Sequence, residues 1–175
     1  MGRWTTTMPA GAVFGDTVYT QSNTGSGGSG EYRCAFRFGH IPKTRTVVIW
    51  ARAETRATSS SFPGDYSNGP TVSEDGTHYT DGTVDKAWSS GRTWNSAHQV
   101  QYWVSENVRR GQVFYCRSIY GENPAVTFEF IPDIAYLPVR VNGEWKDAQP
   151  FVKIGGEWKE PQPYAKVSGV WKEAT

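Results

Sequence analysis

The sequence predicts an all-β protein, in which a β-sandwich or jelly roll is followed by short β-hairpins in tandem. The first observation behind this prediction is the scarcity of helix formers, since one of 175 residues is Leu and 2 are Met. Those residues favour helices, whereas the abundant Val, Thr, Tyr and Trp fit a pleated sheet. The second observation is an apolar–polar alternation of period two, and the third is a 13-residue C-terminal repeat.

Charge and hydropathy argue against two classes of partner. Lys and Arg number 18 and Asp and Glu number 17, so the balance of charge favours neither nucleic acid nor an anionic membrane surface. No apolar run approaches the roughly 20 residues that a membrane-spanning helix needs. Residues 1–7 lack the apolar core of a secretory signal. We therefore expect synthesis in a cytoplasm and no export by the general secretory route.

Composition divides the chain into three predicted parts. Residues 1–30 are predicted to be an N-terminal arm that ends in a Gly/Ser-rich linker or an exposed loop. Residues 31–134 are predicted to be the β-sandwich domain. Residues 135–175 carry three 13-residue units, each predicted to be a β-hairpin.

The strand signal of the middle part begins at residue 31. Apolar side chains alternate there with Arg and Ala, at Tyr32, Cys34, Phe36 and Phe38. Residues 46–52 are apolar at successive positions, which indicates a central strand covered on both faces. Residues 54–92 are rich in Ser, Thr, Gly and Asp, and are predicted to be long loops with one or two short strands. Further strands are predicted at 99–104, 112–120 and 126–130.

The two cysteines, Cys34 and Cys116, lie far apart in the sequence. Neither has a second cysteine or a histidine at a zinc-ligand spacing. We expect two buried thiols, because free cysteine is among the most buried residue types. The alternative is a disulfide between two strands of the sandwich, which would form only outside a reducing cytoplasm.

The C-terminal repeat follows a fixed pattern in the units 137–149, 150–162 and 163–175. Each unit has a two-residue sequence suited to a tight hairpin turn, and these are Asn142-Gly143, Gly155-Gly156 and Ser168-Gly169. A two-residue turn pairs Arg140 with Trp145 across the hairpin and places them on one face, and it likewise pairs Lys153 with Trp158 and Lys166 with Trp171. Cation–π contact of that kind is worth about 0.5–1 kcal/mol at an exposed site.

Hairpins of this length are not stable alone in water. Three of them in one chain bury little apolar surface, so association with further copies is the expected solution. The predicted oligomerisation residues are the tryptophans of the three units, Trp145, Trp158 and Trp171. The alternative is an unstructured tail with exposed tryptophans, which would invite aggregation.

The segment 137–175, with runs such as PFVKIGGEWKEPQPYAKVSGVWKEAT, resembles the Val-Lys-Val-Gly-Gly-Val-Trp-Lys repeats of bacteriophage virion proteins. These are minor tail proteins, tail fibres and head fibres. The resemblance covers under a quarter of the chain, and the first unit departs from it at Leu137-Pro138. It implies a location in the virion, a homo-oligomer that is a trimer, contacts with other virion proteins and attachment to a host surface.

No motif for catalysis or for a cofactor is present. The three histidines, His40, His78 and His98, stand at no metal-ligand or nucleophile-activating spacing. Four carboxylates that could serve glycoside hydrolysis occur in the loop-rich stretch, namely Glu74, Asp75, Asp81 and Asp85. The last three of them could also bind Ca²⁺. Their polar setting favours a solvated loop. We expect no catalytic residues, no cofactor and no metal.

Aromatic side chains are the better lead to a ligand. A possible saccharide or receptor site is predicted at Trp88, Trp94 and Trp103, because rings on loops stack on sugars while nearby polar groups bind hydroxyls. The alternative places at least half of these rings in the core, since a Leu-poor domain must build its core from aromatics and Val.

The protein is therefore predicted to be a minor tail or fibre protein of the virion that mediates assembly and attachment to the host surface. The predicted ligands are host cell-surface glycans. One alternative is a head fibre or a capsid decoration protein, which the sequence does not distinguish from the first. The other is a carbohydrate-binding module or a depolymerase.

Overall fold

The computed structural model describes residues 2–24, 30–57, 64–89, 93–95, 98–119, 124–132, 137–148, 152–159, 164–167 and 170–173. The regular elements of these residues are all strands, which confirms the all-β prediction. None of the described residues belongs to a helix that is long and apolar enough to cross a membrane. The chain forms two compact units, residues 1–132 and residues 133–175.

The strands of the first unit are β1 (Arg3–Thr5), β2 (Val13–Tyr19), β3 (Asn23–Thr24), β4 (Gly30–Ile41), β5 (Thr46–Ala57), β6 (Gly64–Asn68), β7 (Pro70–Ser73), β8 (Tyr79–Asp81), β9 (Asp85–Ser89), β10 (Gln101–Ser105), β11 (Val113–Ser118) and β12 (Val126–Glu129). One antiparallel sheet has the order β1-β10-β5-β4-β2, with β3 paired to β4. A second has the order β12-β11-β7-β8, and β6 pairs with β9 in a separate ladder. The predicted central strand is confirmed, because β5 lies between β4 and β10.

The two larger sheets share one hydrophobic core. Buried side chains come from both of them, and they include Phe36, Ile49, Trp103, Phe114 and Phe130. Burying such residues is the main stabilising term of a sandwich, at roughly 1.5–3 kcal/mol for a large apolar side chain. The core therefore draws mainly on aromatics and Val, as expected for a domain poor in Leu.

Both cysteines lie in this core as free thiols, which confirms the prediction of buried thiols over a disulfide. The Cys34 Sγ donates to the carbonyl oxygen of Gly69 at 3.4 Å. Burial raises the pKa of Cys34 to about 12, and it raises the pKa of Cys116 well above its usual value.

Two stretches differ from the sequence-based prediction. Strands β1 and β2 fall within residues 1–30, so much of the predicted N-terminal arm is part of the first sheet. The predicted Gly/Ser linker is largely outside the described residues, which resume at Gly30. The stretch 54–92 holds the end of β5 and four further strands, where one or two short strands were predicted. These strands are polar at most positions, so neither hydrophobic alternation nor an apolar run marks them.

The second unit consists of three two-stranded antiparallel ladders. Their strands are β13 (Leu137–Val141), β14 (Glu144–Ala148), β15 (Val152–Ile154), β16 (Glu157–Lys159), β17 (Tyr164–Val167) and β18 (Val170–Glu173). The predicted cross-strand pairs are present in all three, and they are Arg140 with Trp145, Lys153 with Trp158, and Lys166 with Trp171. Positive φ angles occur at Asn142 (52°), Gly143 (86°), Gly155 (62°) and Gly156 (89°), as the first two predicted hairpin turns require. The third predicted turn, Ser168-Gly169, lies outside the described residues.

Candidate functional site

The turn between β7 and β8 is fixed by side-chain hydrogen bonds to its own backbone. The Oδ1 of Asp75 accepts from the backbone N–H of Thr77 and of His78, both at 2.8 Å. The Oγ of Ser73 accepts from the N–H of Gly76 at 2.9 Å and itself donates to Asp75 Oδ1. Short polar side chains are favoured in turns because they satisfy backbone groups in this way. The backbone N–H groups of the turn therefore find their acceptors within the turn itself.

The same turn orients an imidazole ring. The Nδ1 of His78 lies 2.7 Å from Asp75 Oδ2 and 3.0 Å from Thr77 Oγ1. The backbone N–H of His78, its ring and the N–H of Thr77 hold the pKa of Asp75 well below its usual range, so that carboxylate is charged at neutral pH. With Nδ1 engaged, Nε2 is the ring nitrogen left to face a ligand.

A pocket of about 290 Å³ opens beside this turn. We call it the turn pocket, and its lining residues are Val72, Glu74, Asp75, His78, Thr80 and Trp103. Apolar side chains from β7 and β10 form part of its wall, while the turn contributes carboxylates and the imidazole. Most small-molecule sites combine an apolar wall with a few placed polar groups in this manner.

The N-terminal strand completes the surroundings of the turn pocket. The backbone N–H of Gly2 donates to Glu74 Oε1 at 2.9 Å, and the Trp4 indole donates to the Thr80 carbonyl at 3.2 Å. Trp4 also stands opposite Trp103 in the β1–β10 ladder, and their ring centroids are 5.5 Å apart in an edge-to-face arrangement. These contacts join Gly2 and the edge strand β1 of the first sheet to the turn and to β8 of the second.

Trp103 is the wall residue with an unmet hydrogen-bonding demand. Its side chain is 1% exposed, and its Nε1–H finds no acceptor among the residues that the structure describes. Gly2 lies directly against this edge of the indole, where a β-carbon would overlap Cε2, Nε1 and Cζ2. A buried donor without an acceptor costs roughly 1–3 kcal/mol.

A second group of polar side chains covers the outward face of β4 and β5. We call it the arginine–aromatic face, and its members are Tyr19, Arg33, Trp50, Arg52, Glu54, Arg56 and Trp94. Glu54 is 3% exposed and receives Arg33 on one oxygen and Arg52 on the other, each at 2.8 Å. The guanidinium of Arg33 lies 3.9 Å from the ring centroid of Tyr19 and 4.2 Å from that of Trp94. Most charged groups of the arginine–aromatic face thus form ion pairs or ring contacts with other members of this face.

The structure does not bring the predicted saccharide-site tryptophans together. Trp103 is in the core beside Trp4, as the alternative prediction had it, although it contributes to the pocket wall. Trp94 is half-buried on the arginine–aromatic face, with Arg33 and Arg56 over its ring. Trp88 lies in β9 opposite Asp65, and its side chain is outside the described residues. The side chains of the three predicted oligomerisation tryptophans are also outside them.

The carboxylates considered for hydrolysis or Ca²⁺ separate in space. Glu74 and Asp75 line the turn pocket, whereas Asp81 is exposed in β8, opposite Thr71 of β7. The side chain of Asp85 is not described. Within the described part of the chain, no group of three His, Cys, Asp or Glu side chains could hold a metal ion.

Sequence reasoning missed the contribution of His78 and Thr80 to this site. His78 stands three residues after Asp75, in the stretch predicted to be a solvated loop. The signal that could have found it is the Ser-x-Asp-Gly-Thr-His run, which is typical of an aspartate-capped turn.

Comparison of the chain with protein-family models, with curated proteins and with solved structures finds no match.

Proposed function

We propose that the chain is a non-enzymatic structural component of a bacteriophage virion, a minor tail or fibre protein that assembles as a homotrimer and attaches to the host surface. The observation that carries this proposal is the series of three hairpin ladders in the second unit. Each ladder places a tryptophan directly opposite an arginine or a lysine, in the same register every 13 residues.

The size of the ladders supports assembly. Their strands are three to five residues long, and a two-stranded hairpin of that length is at best marginally stable in water. Nothing within the described residues joins one ladder to the next by backbone hydrogen bonds. Packing against equivalent ladders of other copies would remove the tryptophans from water, which is how short repeats gain stability.

The first unit supports the attachment role. It has one hydrophobic core, and it carries the turn pocket on a turn whose backbone is hydrogen-bonded by its own side chains. Binding residues are commonly placed on loops that a rigid scaffold positions. In this proposal the second unit assembles the copies and the first unit contacts the host.

A capsid location is the alternative within the virion, and a head fibre would use the same trimer. Immunogold labelling of intact particles separates the two, since label at the tail tip supports the tail protein and label over the capsid supports the head fibre. A depolymerase has no observation in its favour.

The test is the mass in solution, by light scattering, of the full chain and of a chain that ends at Tyr136. A trimer that becomes a folded monomer on truncation supports the proposal. A full-length monomer overturns the assembly role of the ladders. Circular dichroism of the shortened chain provides the control that its β-structure is intact.

A further inference from the structure

We propose that Asn142-Gly143, the turn of the first C-terminal ladder, is a site of spontaneous deamidation, at which water converts Asn142 to aspartate and isoaspartate. Asn-Gly occurs twice in the chain, at Asn142-Gly143 and at Asn68-Gly69. Asn is among the chemically labile residues, and a following glycine has no β-carbon to hinder attack by its nitrogen. The two sites share this chemistry, so the structure around them decides which one reacts. The modification does not require the proposed function.

The reaction needs only the chain and water. The backbone nitrogen of Gly143 attacks Cγ of Asn142, and the bond from Cγ to Nδ2 breaks. The proton of the attacking nitrogen passes through solvent to the departing nitrogen, so ammonia leaves and a cyclic succinimide remains. Water then opens the ring. Addition at Cγ gives aspartate with the normal backbone, and addition at the main-chain carbonyl carbon gives isoaspartate, whose backbone runs through Cγ.

The turn of the first ladder is open to this reaction. Asn142 and Gly143 are both exposed, and no atom of the described residues lies within 4 Å of the place where a β-carbon of Gly143 would be. The two strands that hold the turn, β13 and β14, have 5 residues each, and a hairpin of that size is at best marginally stable in water. Such elements open locally far more often than a core does. Asn142 therefore reaches a reactive conformation without unfolding of the first unit.

Asn68-Gly69, between β6 and β7, is closed to the same reaction. Asn68 is 0% exposed, and its Nδ2 donates to the Arg33 carbonyl oxygen at 3.0 Å. Its Oδ1 accepts from Ser118 Oγ at 2.6 Å and from the Gly69 N–H at 2.9 Å. The nitrogen that would attack Cγ is thus hydrogen-bonded to the amide oxygen, and burial excludes the water that would open the ring. Reaction at Asn68 requires opening of the core around it.

Deamidation changes the backbone of the first ladder. Its two-residue turn pairs Val141 with Glu144 and Arg140 with Trp145. Isoaspartate adds one methylene group to the main chain inside this turn, and both products add a negative charge near Glu144. The lengthened turn no longer matches the register of its two strands. Chains that carry isoaspartate should therefore lose the first ladder and keep the first unit.

The experiment is incubation of the full chain for several weeks at mildly alkaline pH, followed by tryptic digestion and mass spectrometry. Asn142 lies in the tryptic peptide 141–146 and Asn68 in the peptide 57–86, and neither peptide contains another Asn or Gln. Deamidation replaces an amino group by a hydroxyl group, so the mass of each peptide reports one site. We expect conversion at Asn68 to be slower than at Asn142 by at least about tenfold, because it waits for opening of the core. In concentrated urea, which unfolds the chain, the two sites should convert at similar rates.

Asn142→Gly is the matched variant. It removes the amide and keeps the turn, because Gly155-Gly156 forms the corresponding turn of the second ladder with positive φ at both positions. In ¹H–¹⁵N spectra of the aged protein, the backbone signals of residues 140–145 should split into a second set, and those of the first unit should stay unchanged. The aged variant should show a single set throughout.

Equal rates at the two sites in the folded chain would overturn the proposal. So would an Asn142 amide that survives in the folded chain under conditions that convert it in urea, since the ladder would then protect its own turn. Isoaspartate at Asn142 with an undivided set of backbone signals would contradict the predicted loss of the first ladder.

Discussion

Glu54 is the most buried charged side chain of the arginine–aromatic face. It is 3% exposed and bonds two arginines, whereas Glu31 nearby bonds Arg56 and is 22% exposed. Removing one member of an ion pair lowers the free energy of unfolding most where water cannot reach the charge that remains. The two glutamates, on adjacent strands of one sheet face, therefore form a natural comparison.

Glu54→Gln should lower the free energy of unfolding by about 2 kcal/mol, because two charge-assisted hydrogen bonds are weakened at a buried position. Urea unfolding followed by tryptophan fluorescence measures the change. Glu31→Gln is the matched control, and it should cost less than about 1 kcal/mol. Equal losses for the two variants would contradict the importance of burial.

The buried thiols give stability a dependence on alkaline pH. Burial raises the pKa of Cys34 to about 12, while an unfolded chain releases the thiol proton near about pH 8.5. The folded state thus binds the proton more tightly, so this contribution is fully present below about pH 8.5 and is lost as pH rises towards 12. Urea midpoints between pH 8 and 11 should fall less steeply for Cys34→Ala/Cys116→Ala than for the unchanged protein. Parallel curves would exclude the thiols as the cause.

At the scale of the element, a strand can be predicted where its burial requires an alternation of apolar and polar residues or a continuous apolar run in the sequence. The alternation before Phe38 identifies β4, and the apolar run around Val48 identifies β5 as central. The polar β6 and β9 escaped prediction, because neither alternation nor an apolar run marks them. The N-terminal β1 was missed for another reason. Three residues cannot display a period, and the partner that orders them, β10, lies about a hundred residues away.

The turn pocket shows the same limit. Glu74 and Asp75 were considered from the sequence, but as parts of a solvated loop. Their role depends on Trp103, which reaches them across the two sheets, and on Gly2. Local composition predicts a turn at this point, and only tertiary packing places an indole beside it.

The hairpin turns depend on residues that tolerate positive φ. Gly156 has φ of 89°, and Gly155 has φ of 62°. Gly156→Val should destabilise the second ladder by at least about 1 kcal/mol, since a β-branched side chain is strained in the left-handed region. The measurement is the concentration at which the proposed oligomer of the full chain dissociates, by light scattering. Gly155→Asn is the control, because Asn142 already adopts this conformation in the first ladder, and it should leave the oligomer unchanged.

At the scale of the whole molecule, the two units follow different physical rules. The first buries a continuous core of its own, as a domain of about 130 residues can. The second divides 43 residues among three ladders that repeat every 13 residues. Each repeat is far shorter than the roughly 40 residues below which a domain usually needs disulfides, metals or partners. If the proposed assembly is right, the stability of the second unit depends on protein concentration and that of the first unit does not.

That difference leads to a prediction for Trp158, which the register places opposite Lys153 in the second ladder. In the proposed assembly, which buries Trp158, Trp158→Ala should raise the dissociation constant by about a hundredfold or more, because removing a buried Trp costs about 3–5 kcal/mol. Lys159→Ala is the matched control, since the neighbouring position in the strand points to the opposite face. Sedimentation across low micromolar concentrations measures both. If Trp158→Ala stays fully assembled there while Lys159→Ala dissociates, the prediction is wrong. The face that carries Lys159 is then the buried one, and the face that carries Trp158 and Lys153 is exposed.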